Sequence, residues 1–173
     1  MNAETPYRPG GYPARLEKAK DLADIFEIVK DAVQARLGVS RGGLMLGLAE
    51  LGGSPNGWIG GLYPVATNVI VMNKGPLARI MENSPDLYKP YVFHILLHEY
   101  IHAVGYMDEA LTRKRALEVS EALFGKEHLT TRMAADIMQF FPHITYPVPT
   151  PAPQGMQLEL VKGFDRSSAS YIC

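Results

Sequence analysis

"FHILLHEYIHAVGYMDEA", residues 93–110, is the stretch that decides how the rest of the chain is read. It is apolar apart from a few groups, and three of those, His98, Glu99 and His102, stand in the order H-E-x-x-H. An α-helix rises about 1.5 Å per residue with about 3.6 residues per turn, so side chains four apart lie nearly above one another. His98 and His102 can therefore both approach one cation at an N–metal distance of roughly 2.0–2.1 Å. Glu99 is one position round the helix, beside such an ion rather than on it, where a carboxylate can hold water. Burying two imidazoles and a carboxylate without partners is costly, which argues against three incidental polar residues on a packed helix.

His94 extends the histidines to three, each four residues from the next. From His94 to His102 the helix rises about 12 Å, too far for both ends to reach one tetrahedral ion. His94 is expected to pack or to support a ligand. A third ligand must then follow the helix. Gly105 can take the left-handed conformation that turns a chain sharply back, and Asp108 arrives three residues later, giving H-E-x-x-H-x-x-G-x-x-D.

At this point "HEYIHAVGYMD" resembles the extended zinc signature of the metzincin branch of zincin metallopeptidases, in the variant with Asp as third ligand. The resemblance implies one zinc ion per chain on His98, His102 and Asp108, with Glu99 as general base in peptide-bond hydrolysis. It also implies an edge strand that pairs with an extended substrate. "DIMQF" around Met138 looks like a metzincin methionine turn, although Met133 and Met138 also fit helical core packing. The helix expected directly after Asp108 is similar instead to the gluzincin branch, where a glutamate on that helix ligates zinc. Glu121 and Glu118 are the candidates there, and Asp108 would then be only a helix cap. Tyr106, Tyr100 and Tyr146 are available to assist catalysis.

Two readings from other classes stand beside the peptidase. "LLHEYIHAVGYMD", with the preceding "VIVMN", also looks like the bacterial endoribonucleases of rRNA maturation, whose metal motif is H-x-x-x-H-x-x-G-x-D-H. That family has Gly where this chain has Glu99, and His where it has Asp108. A non-catalytic, zinc-stabilised binding module is the third reading.

Working outward, residues 14–37 carry Leu16, Ala19, Leu22, Ile25, Phe26, Val29, Val33 and Leu37 at spacings of three and four, which predicts one long amphipathic helix stopped by Gly38. Between residues 42 and 73, short apolar runs broken by "GGSPNG", "GG" and "YP" predict two or three strands, of which "NVIVMN" is the clearest. The glycines there do not make a phosphate loop, because no G-K-[ST] follows. Helices are expected from about residues 86–90 to Gly105, from Asp108 to Gly125, and over "LTTRMAADIMQFF" with Thr130 or Thr131 as cap. "PHITYPVPTPAPQG" reads as a semi-rigid extended linker, "MQLELV" as a possible strand and the remainder as a polar tail.

The expected fold is α+β and zincin-like. It has a small mixed sheet with an edge strand, an N-terminal helix, the H-E-x-x-H helix and a helical C-terminal part. The expected division is a loose arm over 1–13, a catalytic domain over 14–145, and a Pro-rich linker and tail over 146–173. A formal net charge of −1 over 173 residues gives no electrostatic reason to expect nucleic acid or an anionic membrane as the main partner, and a peptide or protein substrate is expected. No segment reads as a signal peptide or a membrane span, so the expected compartment is the cytoplasm. The single cysteine, Cys173, allows no intrachain disulfide. By analogy with the cysteine switches of some metzincin zymogens, its thiolate is a candidate for closing the zinc site in a latent form; the plain alternative is a loose chain end.

Overall fold

The structure, a computed structural model, describes residues 11–53, 56–147 and 155–169. Its first surprise is that the N-terminal helix is two helices. α1 (Gly11–Lys18) begins inside the expected arm, and α2 (Leu22–Leu37) follows after a break. Asp21 and Asp24 make the break. Asp21 Oδ1 accepts the Asp24 backbone N–H at 2.8 Å, while Asp24 Oδ2 accepts the Lys20 N–H at 2.8 Å, a reciprocal cap that starts a new helix. The apolar spacing runs through the break unchanged, which is why periodicity alone does not show it. Gly38 ends α2 in the left-handed conformation (φ 69°), as its position predicts.

Four strands follow: β1 (Met45–Ala49), β2 (Trp58–Ile59), β3 (Gly61–Leu62) and β4 (Val69–Asn73). β1 and β4 are parallel, and Leu46 and Ile70, paired in register, are both fully buried. β3 lies antiparallel on the other side of β4 and ends the sheet on that side. The Ile59 and Gly60 carbonyls both accept from Asn73, one from its side-chain amide at 2.9 Å and one from its backbone N–H at 3.0 Å. Asn73 thus ties the junction between β2 and β3 to the end of β4.

α3 (Lys74–Asn83) lies in a stretch for which the sequence reading named no element. Gly75 and Pro76 sit in its first turn, where a missing N–H costs no helical hydrogen bond. α4 (Pro85–Ala103) carries the H-E-x-x-H motif, and every residue from Pro90 to Ala103 is buried. It is the central helix, contacted by α2, α3, the two helices that follow it and the sheet. Arg41 holds its C-terminal end by donating to the Ala103 carbonyl (3.0 Å), the Tyr63 hydroxyl (2.6 Å) and the Thr67 carbonyl (2.7 Å).

α5 (Glu109–Phe124) starts at the Asp108 cap and stops at Gly125, as expected. The fourth helix is shorter than expected: α6 (Leu129–Ala135) is capped by the His128 side chain rather than by Thr130 or Thr131, and a 3₁₀ turn covers Ile137–Gln139. Met133 is fully buried, but Met138 is 47% exposed and so is not part of the core.

The described part of the C-terminal segment packs against the rest of the fold. β5 (Ile144–Thr145) pairs in parallel with β2, and β6 (Glu159–Leu160) pairs antiparallel with β1. Phe164 then stacks on Phe26 with centroids 3.9 Å apart, and Asp165 is buried in front of the short α7 (Arg166–Ala169). The architecture is thus α+β with a small mixed sheet, as expected. No helix among the described residues is long and apolar enough to cross a membrane.

Candidate metal centre

His98 and His102 face each other from successive turns of α4, with ring centroids 4.9 Å apart and near-perpendicular planes. Both are 1% exposed. The carboxylate that meets them is Glu109, the first residue of α5. Its Oε1 stands 2.7 Å from His98 Nε2 and its Oε2 stands 2.9 Å from His102 Nε2. One ligand atom from each of the three residues lies within 4.8 Å of the others.

Asp108, the expected third ligand, is not in this group. Its Oδ1 accepts the Leu111 N–H at 2.7 Å and caps α5, so its side chain points along the helix it starts. The turn expected at Gly105 does exist (φ 122°), and the Tyr106 N–H closes it on the Ile101 carbonyl. That turn delivers the next residue's carboxylate rather than Asp108's. Glu118 pairs with Arg115 at 2.7 Å and Glu121 lies near Lys126, so neither approaches the histidines. Cys173 lies outside the described residues. The signal for Glu109 was present as the second acid of "MDEA": one acid caps, and the one after it occupies the first helical position, where carboxylates are favoured.

The two histidines are held differently. His102 Nδ1 lies 2.6 Å from the Tyr106 carbonyl, which leaves Nε2 to face the carboxylate. Thr112 Oγ1 is 3.3 Å from the same nitrogen. Among the described residues, neither nitrogen of His98 has a hydrogen-bond partner, and neither does Glu109 Oε1. His98 Nε2 and Glu109 Oε1 are therefore close without being aligned for a hydrogen bond. Two buried imidazoles and a carboxylate that converge in this way are a group that could hold a metal ion.

A tetrahedral ion with bonds of about 2.0–2.1 Å spaces its ligand atoms about 3.4 Å apart. Against that spacing, the Glu109 contacts of 2.7 and 2.9 Å would need to open by about 0.7 and 0.5 Å to admit one. Two imidazole nitrogens and a carboxylate oxygen also suit zinc or a similar borderline divalent cation. The donor set fits.

Electrostatics reinforce the grouping. Burial opposes the charge of Glu109, but His102 and His98 outweigh it and hold its carboxyl down to about 2. Burial likewise opposes the His102 imidazolium, and the Glu109 and Glu99 carboxylates raise it despite that. Glu99 moves the other way: burial pushes its carboxyl up, against the pull of His98 and His102. Glu99 is 4% exposed, and no hydrogen bond or ion pair among the described residues involves its carboxylate. Beside it runs the edge strand, where a Cβ added to Gly61 would lie 3.6 Å from Glu99 Cγ. Comparison with protein-family models, with curated proteins and with solved structures finds no match to this chain.

Proposed function

We propose that the chain is a metal-dependent peptidase in which His98, His102 and Glu109 hold one divalent cation, zinc by the chemistry of the donors, and Glu99 is the general base. The observation that carries this reading is the pairing of a convergent His–His–Glu group with a neighbouring buried carboxylate that has no hydrogen-bond partner among the described residues. A purely structural metal site has no use for that second carboxylate, which is costly to keep. When bound, the cation supplies a Lewis acid that acidifies water and polarises a carbonyl.

Glu99 takes the proton from the attacking water and returns it to the leaving amine. Its raised proton affinity suits a group that must do both near neutral pH. The outer edge of β3, which has no strand neighbour among the described residues, offers peptide groups beside Glu99 for pairing with an extended chain.

The test is Glu99→Gln. The variant is expected to retain stoichiometric metal by elemental analysis and to lose hydrolysis of a peptide library by about 100-fold or more. Cleavage at the wild-type rate removes the base assignment. Wild-type protein with bound metal but no turnover of any peptide points to a binding module, and RNA cleavage that survives the substitution points to a nuclease.

A further inference from the structure

We infer that Tyr146, latched by His94, is the residue that positions the His98 imidazole for metal binding; this rests on the metal-site reading above. A ligating histidine ordinarily engages its second ring nitrogen in a hydrogen bond, which sets its tautomer and ring orientation. His102 has such a partner in the Tyr106 carbonyl, whereas His98 Nδ1 is buried with none among the described residues. What His98 has instead is a ring against its face. Tyr146 stacks on it with centroids 4.7 Å apart and planes 30° from parallel.

Tyr146 is itself held in place. Its hydroxyl is 2.9 Å from Nε2 of His94, one helical turn before His98. Arg113 of α5 lies over the same ring at 4.8 Å, and its Nε is 3.7 Å from Glu109 Oε1. One tyrosine ring therefore touches both helices that carry the ligand group. It arrives through β5, whose Ile144 is buried and pairs with Trp58, so a segment remote in sequence completes the site. His94, out of reach of the ion, gains a purpose: it fixes the ring that fixes His98.

The experiment measures zinc affinity of the full chain by competition with a chromophoric chelator, together with the visible absorption of the cobalt(II) form. Tyr146→Leu, which removes the stack, is expected to weaken zinc by about tenfold or more and to shift the cobalt bands. Tyr146→Phe and His94→Phe each delete the same hydrogen bond, so each should give a smaller loss, and the double variant should lose no more than either. A merely structural tyrosine would lower the melting temperature and leave affinity and spectrum unmoved, which overturns the inference. If Tyr146→Leu does not fold, the cycle between the two Phe variants decides: additive losses, or none, overturn it. Wild-type protein that binds neither metal sinks the metal-site reading and this inference together. Wild-type binding matched by Tyr146→Leu sinks this one alone.

Discussion

Asp108 and Glu109 are adjacent carboxylates with different work, and one methylene and one helical position separate them. The shorter side chain folds back on the Leu111 N–H, and the longer one reaches across to two imidazoles. Glu109→Ala should therefore abolish tight metal binding, measured by calorimetry. Asp108→Ala should keep the metal and cost about 1 kcal/mol of stability in denaturant, the usual worth of such a cap. The opposite pattern would return the ligand role to Asp108. His98, Glu99 and His102 were legible because their relation is local, two turns of a single helix. Glu109 was not, because the choice between neighbouring acids depends on the angle at which α5 leaves the Gly105 turn.

At the scale of elements, α4 and the edge strand meet through a pair of glycines. A Cβ at Gly60 would fall 2.8 Å from Ile95 Cδ1 and 2.9 Å from the Tyr91 hydroxyl. At Gly61 it would fall 2.8 Å from the Val71 carbonyl and 2.9 Å from Ile95 Cγ2. The "GG" of "WIGGLY" is thus a close approach of backbone to helix, which is how β3 comes to lie beside Glu99. Gly61→Ala must push the strand off α4 or off β4, and is expected to cost about 1–3 kcal/mol in chemical denaturation, with reduced peptide hydrolysis. Wild-type stability in that variant would show that the strand has slack. The glycine pair was visible in the sequence only as a turn signal. Its packing role depends on a helix more than thirty residues downstream.

Over the whole molecule, the chain closes on itself through its last described segment. Asp165 accepts from Lys30 Nζ at 2.5 Å, the Leu44 N–H at 2.9 Å and Ser168 Oγ at 2.7 Å. Burial opposes its charge, but these partners outweigh burial and hold the carboxyl below its ordinary 3.8. A carboxyl depressed in the folded state adds stability that is full above its unfolded value and is lost as pH falls through the folded one. The contribution of Asp165 should therefore persist at neutral pH and fade below about pH 4. Asp165→Asn should destabilise the protein by roughly 2 kcal/mol at pH 7, with the difference from wild type shrinking in acid, as read from denaturation curves at several pH values. A difference independent of pH would mean that the ionised carboxylate does not secure the segment.

The sequence alone determined what is local. It contained the helix that pairs His98 with His102, the Glu99 between them, the glycine stops at Gly38 and Gly125, the strand ending at Asn73 and the α+β class, because spacing and capping act over a few residues. Tertiary structure decided which acid joins the histidines, that Tyr146 lies on His98, and that residues 155–169 dock rather than trail. Each of these joins groups far apart in the chain, and their meeting depends on how whole elements pack.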